Sequence, residues 1–244
     1  MGVDEETVAI LPEIRFADNV LNPWREELPK IFRTLNLVPN QTVLDIPCGQ
    51  GGVSVHLAKE YGVSVDGYDL LKGYVDNAND YATEQKVSGL CKFYTDDIRN
   101  VIDKSDEHDL LLWIAPPHLW SNYNQTIENL RKCVKDKGYI VIADAYLYTD
   151  KLKSEHPEYE TFAETSRAVT EHGDTIAELI DYKESLWAKN YQEEREAIVR
   201  AINSSSNPTE KEALEKYLEQ FNAGEPIDKE HFGLYILVLQ INKT

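Results

Sequence analysis

Between about residues 42 and 148, strand-like and helix-like segments take turns along this chain, and that alternation confines it to βαβ units laid into a parallel sheet. The first strand is Val43-Leu44-Asp45-Ile46, a short apolar run ending in a turn of proline, cysteine and glycines. Val53 to Tyr61 follows as a helix, because Val53, His56, Leu57 and Tyr61 fall on one face. Val63 to Tyr68 is a second strand that closes at Asp69, and a helix over roughly 71–86 leads to a third strand near Lys92–Thr95. Asp109-Leu110-Leu111-Leu112-Trp113-Ile114 is nearly continuously apolar, as a central strand covered on both faces must be. The next helix carries Ile127, Leu130 and Val134 on one stripe and is expected to stop at Lys137-Gly138. Tyr139 to Ala143 is the fifth strand.

The flanks read differently. Pro23 to Leu35 is expected to be a helix bearing Trp24, Leu28, Ile31 and Phe32. Residues 149–160 are polar, Phe162–Glu171 is helical in pattern, and Thr175–Ile180 alternates like a strand. Helices follow near 184–202 and 208–221, the second starting at Asn207-Pro208-Thr209-Glu210 and carrying Leu214, Tyr217, Leu218 and Phe221. Phe232 to Leu239 is the strongest late strand, and with no room after it for a crossover helix it is expected to pair antiparallel.

Charge narrows the partners. The 244 residues hold 43 acids against 25 bases, a net charge of −18, which repels a polyanion at long range. No Lys/Arg cluster supplies the footprint that nucleic acid needs, so a neutral or cationic small molecule is the expected partner. No apolar run approaches the ~20 residues that cross a bilayer. The start, Met1-Gly2-Val3-Asp4-Glu5-Glu6, is acidic and unlike a secretory signal, and Glu6 argues against myristoylation at Gly2. A cytoplasmic protein with no membrane association is expected. Cys48, Cys91 and Cys133 form no zinc or haem spacing, and the six histidines form no H-x-x-x-H pair, so no metal is expected.

The turn Asp45-Ile46-Pro47-Cys48-Gly49-Gln50-Gly51-Gly52 is where chemistry enters. Glycines between a strand and a helix aim backbone N–H groups at a ligand and let it approach without Cβ clashes. Asp69 answers from the end of the second strand, at about the 20-residue spacing at which such folds bind ribose hydroxyls. A dinucleotide loop carries no acid just before the turn. Asp45 stands there; its carboxylate repels a pyrophosphate and attracts a cationic ligand end such as the amino-acid moiety of S-adenosylmethionine.

Val43 through Gly52 resembles the first motif of class I S-adenosylmethionine-dependent methyltransferases, with Pro47 in place of its first glycine and Gly49 and Gly51 retained. The resemblance covers about residues 40–148, and the Phe232–Ile241 strand is similar to the family's last strand. It implies a Rossmann-like, doubly wound α/β fold: a mostly parallel seven-stranded sheet, its last strand antiparallel, plus a helical cap. It also implies one domain, with an N-terminal helical segment over 1–36, a cofactor-binding core over 37–148, a substrate-side region over 149–230 that includes a helical insertion at 184–224, and the last strand over 231–244. Asp69 with Leu70 would meet the ribose, Asp97-Ile98 would frame the adenine, and Ile114 would lie beside the methyl-transfer centre. S-adenosylmethionine is then the cofactor and S-adenosylhomocysteine the product.

The acceptor is less legible. Ala115-Pro116-Pro117-His118 sits where some amino-group methyltransferases carry Asn/Asp-Pro-Pro-aromatic, but Ala115 lacks the amide or carboxylate that orients a substrate nitrogen. Residues at the C-terminal strand ends face the ligand crevice. Asp144 and Tyr146 are therefore the expected catalytic pair, and Trp24, His118, Tyr148, Trp187 and Tyr191 the expected pocket wall, with Trp120 near it. Methylation of a protein or RNA, or a non-catalytic protein that binds S-adenosylmethionine, are the alternatives.

Overall fold

The structure is a computed structural model that describes residues 9–14, 24–182 and 185–243. Seven strands, β1 (Thr42–Asp45), β2 (Ser64–Asp69), β3 (Cys91–Thr95), β4 (His108–Ile114), β5 (Val134–Leu147), β6 (Thr175–Tyr182) and β7 (Phe232–Gln240), form one sheet in the order β3-β2-β1-β4-β5-β7-β6. The first five pair in parallel, and β7 lies antiparallel between β5 and β6. β7 leaves α8 (Pro208–His231) without an intervening loop and inserts between its two neighbours, so the last three strands pair β5-β7-β6 rather than in chain order.

Helices cover both faces, which is why β1 and β4 are apolar at nearly every position. On one face Val43, Leu110, Leu112 and Val141 meet Leu28, Ile31 and Phe32 of α1 (Trp24–Thr34), Val55, Leu57 and Ala58 of α2 (Gly52–Tyr61), and Val75 and Ala78 of α3 (Lys72–Glu84). On the other, Leu44, Leu111, Trp113, Ile140 and Ile142 meet Ile98, Val101 and Ile102 of α4 (Ile98–Lys104), Ile127 and Leu130 of α5 (Tyr123–Leu130), and Ala168 of α6 (Phe162–Ala168). A third cluster joins Ala197, Ile198 and Ala201 of α7 (Ser185–Ser204) to Ala213 and Leu214 of α8, and draws in Ile10 and Ile14 from the N-terminal segment.

Three expectations are corrected. Lys137-Gly138 is not a helix stop: α5 ends at Leu130, and Lys137, at φ 63°, belongs to an irregularity within β5 where the register against β4 jumps from His108–Val134 to Leu110–Tyr139. α4 was not expected, although Asp97 caps it and Ile98, Val101 and Ile102 stand at helical spacing. α8 continues to His231, past residue 221, because Leu214 in the small core and Phe232 in the sheet fix its two ends and override the local breakers.

Strand order reverses between β1 and β4, and the crevice at such a switch point opens at the carboxyl ends of the strands. Asp45, Asp69, Asp96, Ile114 and Asp144 all come to that edge.

Candidate cofactor and acceptor site

The loop after β1 is tied to its neighbours before any side chain acts. The Ile46 N–H donates to Leu112 O at 3.2 Å, the Cys48 N–H to Tyr68 O at 2.9 Å and the Gly51 N–H to Cys48 O at 2.9 Å. The Ile46–Pro47 bond is cis. Gly49 and Gly51 both have left-handed backbone, φ 50° and 79°. They are glycines for different reasons. A Cβ at Gly51 would lie 2.7 Å from the Ala78 Cβ, so close packing against α3 requires its absence; at Gly49 a Cβ would meet nothing within 4 Å, because that side of the loop faces open space.

Two buried carboxyls flank that space. Asp45, 3% exposed, accepts a hydrogen bond from the Ser54 hydroxyl at 2.6 Å. Burial pushes its pKa up to about 7; the Ser54 bond opposes the rise and the nearby Asp69 charge adds to it. Asp69 accepts the Gly49 N–H on one oxygen at 3.0 Å and the Leu71 N–H on the other at 2.9 Å. Burial raises its pKa as well, against the pull of the backbone N–H groups. A carboxylate can accept about four hydrogen bonds, so each Asp69 oxygen keeps a lone pair for a ligand hydroxyl. Leu70 between them is 67% exposed, an apolar side chain held at the rim of the crevice. Cys48 is buried, and burial, then Asp45 and Asp69, push its thiol well up, so it packs as a neutral thiol.

At the end of β3 the Asp97 carboxylate accepts the Arg99 N–H at 2.9 Å and pairs with the Arg99 guanidinium, which holds its pKa down to about 2. Asp96 accepts the Asp97 N–H and the Asn100 amide. Asp97 therefore caps α4, Asp96 braces the cap from outside, and Ile98 is buried beneath them.

Over the loop lies a strap that sequence reasoning missed. The Gln50 amide donates to Ile14 O at 2.7 Å and the Asn77 amide to Pro12 O at 2.9 Å, which fastens the 3-10 turn Leu11–Glu13 to the loop and to α3. These contacts span 36 and 65 residues and follow no local pattern. Ser54 was also missed, though its place in the first turn of α2 points it back at Asp45.

On the acceptor side, Ile114 ends β4 and Ala115 takes φ 46°, a left-handed conformation costly for a residue with a Cβ, while its N–H bonds Ala143 O at 2.8 Å. The chain then leaves the sheet through Pro116-Pro117-His118. Below it is a narrow cleft lined by Trp113, His118, Trp120, Tyr123, Asp144 and Glu160. Asp144 accepts the Tyr123 hydroxyl and the Ala145 N–H. Burial raises its pKa, with the Tyr123 bond and the His118 ring opposing. Glu160 accepts the Tyr123 N–H at 3.2 Å and is also raised by burial. Neither Tyr123 nor Glu160 was picked out by sequence.

The expected pair Asp144 and Tyr146 shares a sheet face, but the two side chains make separate contacts. The Tyr146 hydroxyl donates to Asp181 at 2.6 Å and its ring packs on Phe162, while Asp144 turns to Tyr123. Tyr148 is exposed and stacks edge-on against Tyr146. His118 sits edge-on to Tyr159 at 4.3 Å. Tyr191 is 7% exposed and packs on Phe221, between α7 and α8. The side chains of Trp24 and Trp187 lie outside the described residues.

A glycine loop at a β1–β4 switch point, a buried acid at the end of β1 and a second at the end of β2, in a sheet whose last strand is antiparallel, together define the class I methyltransferase fold. Residues 37–220 match the methyltransferase domain family, and the chain belongs to it. It is 34% identical over 109 residues, 44% of this chain and 33% of the relative, to 2-methyl-6-phytyl-1,4-hydroquinone methyltransferase of Synechocystis sp.. It is 36% identical over 74 residues, 30% of this chain and 25% of the relative, to norajmaline N-methyltransferase of Rauvolfia serpentina. The chain thus spans about a third or less of the curated relatives it matches. Among solved structures, the YjhP protein of E. coli aligns over 98% of this chain and 100% of its own at TM-score 0.78 and 17% identity. A S-adenosylmethionine-dependent methyltransferase of Geobacter sulfurreducens, in complex with S-adenosylhomocysteine, aligns over 100% of both chains at TM-score 0.77 and 17% identity. Among the described residues no helix is long and apolar enough to cross a membrane.

Proposed function

We propose that this protein transfers the methyl group of S-adenosylmethionine to a small-molecule acceptor, neutral or cationic, in the cytoplasm. The observation that carries the reading is the open side of Gly49 flanked by buried Asp45 and Asp69. When bound, the cofactor supplies an electrophilic methyl on a sulfonium. Asp45 balances the cationic amino-acid end, Asp69 takes the ribose hydroxyls on its spare lone pairs, and Leu70 and Ile98 flank the adenine, with Asp97 holding Ile98 in place by capping α4. Gly49, Gly51 and Pro47 shape the loop, and the strap over Gln50 excludes water from it. Ile114 borders the transfer centre.

On the acceptor side Asp144, held by Tyr123, is the pocket carboxyl, and Tyr146 orients β6 through Asp181 rather than touching the reacting atoms. His118 and Tyr148, with Trp187 and Tyr191 from the insertion and Trp24 from the N-terminal helix, complete the proposed wall. In a displacement at a methyl, positioning and exclusion of water supply much of the acceleration, which suits a cleft walled by aromatic rings. The relatives named above carry small molecules in their names, and the charge of −18 weighs against RNA.

Calorimetry with S-adenosylmethionine and S-adenosylhomocysteine tests the cofactor. Binding of both, followed by transfer of label into a metabolite pool, is the expected result. Label entering protein or RNA instead would replace the acceptor, and binding of neither would remove the function.

A further inference from the structure

His156 and His231, 75 residues apart, meet with Nε2 and Nδ1 at 2.9 Å. A shared proton explains that contact by itself. It does not explain the third group: a Glu155 carboxylate oxygen and one ring nitrogen from each histidine all lie within 4.8 Å of one another, so three potential ligand atoms are gathered in one place. The place is preformed. The Tyr148 N–H donates to His231 O at 3.0 Å and the His156 N–H to Leu152 O at 2.9 Å, and the Phe232 ring packs against His156 at 4.7 Å. Both rings are half-buried and Glu155 is exposed, which leaves a solvent-facing side.

We infer that Glu155, His156 and His231 form a divalent transition-metal site of the zinc type, independent of the methyl-transfer reading. Zinc held at about 2.0–2.1 Å by two imidazoles at a tetrahedral angle sets their nitrogens roughly 3.3 Å apart, so the rings need move only a few tenths of an ångström. Two imidazoles and one carboxylate suit zinc and its neighbours and not magnesium, which takes oxygen ligands. Three protein ligands leave the fourth position to water. The net charge of −18 favours any cation. The metal would tie the segment after β5 to the last residue of α8, and so fix the helical insertion to the sheet near the acceptor cleft, to which edge-on contacts run from Phe232 through Tyr159 to His118.

The test is titration of the chelator-treated 244-residue chain with zinc chloride alone, by calorimetry and by thermal unfolding. One zinc per chain, a raised Tm and no response to magnesium are expected. His156→Gln and His231→Gln should each weaken zinc binding more than about tenfold, beyond the loss of a supporting partner. Glu155→Gln, at an exposed side chain, gives a smaller loss and serves if a histidine variant fails to fold. His172→Gln, whose ring contacts Asn124 O instead, should bind as the parent does. No zinc binding by the parent chain, undiminished binding by His231→Gln or Glu155→Gln, or an equal loss in His172→Gln would overturn the assignment.

Discussion

The Ser54 hydroxyl donates to the Asp45 carboxyl at 2.6 Å inside the apolar layer between β1 and α2, where burial, opposed by that bond, pushes the Asp45 pKa up to about 7. Between the ordinary carboxylate range and that value the folded chain holds a proton that the unfolded chain releases. Unfolding free energy from this group therefore falls as pH rises through the window. Asp45→Asn should remove that slope and leave the ligand-free protein more stable by about 1–3 kcal/mol near pH 8, read by urea unfolding of both proteins across the pH range. An identical pH slope in the variant would mean that Asp45 does not titrate there.

The same group predicts the pH dependence of cofactor binding. A cationic ligand end needs Asp45 ionised, so affinity for S-adenosylmethionine should fall as pH drops below about 7. Calorimetry at several pH values should show a flat, weak affinity for Asp45→Asn.

Asp69→Ala should weaken S-adenosylmethionine by about 1–3 kcal/mol, the scale of a lost charged acceptor. S-adenosylhomocysteine has the same ribose, so both ligands should lose equally in the same titration. A loss confined to S-adenosylmethionine would place Asp69 beside the sulfonium instead, the one group the two ligands do not share.

Gly49→Ala and Gly51→Ala separate ligand approach from packing. At Gly51 the new Cβ would stand 2.7 Å from Ala78, and destabilisation of about 2–4 kcal/mol by denaturant unfolding is expected. At Gly49 the space is open, so the fold should lose about 1 kcal/mol for the left-handed backbone while cofactor affinity drops more steeply.

Gly233→Ala puts a Cβ 2.2 Å from the Tyr146 ring and should destabilise the β5–β7 pairing by about 2–4 kcal/mol. Tyr146→Ala in the same chain should relieve the clash, so the double variant should lose less than the two single costs added together.

What could be read along the chain was short-range. Asp45, the glycine loop, α2 and Asp69 lie within one βαβ unit, so the polarity of β1, the turn chemistry and the spacing to Asp69 are consecutive in sequence. Periodicity also located β4 and β7, because strands covered on both faces must be apolar throughout. It misread Lys137-Gly138, since a left-handed residue before a glycine looks the same at a helix end and in an irregular strand, and pairing with β4 decides which. Position in the chain puts Asp144 and Tyr146 together because both leave the C-terminal end of the fifth strand, where the ligand crevice opens. Packing separated them, giving one to Tyr123 on α5 and the other to Asp181 on β6.

By itself the sequence determined the parallel core, the loop after β1 and the two acids beside it, because each depends on residues near in chain order. The tertiary structure alone decided that Gln50 holds Ile14, that Tyr123 holds Asp144 and that His156 meets His231. Those pairs depend on which strands become neighbours and how helices close over them, and periodicity along one strand or helix carries no information about either.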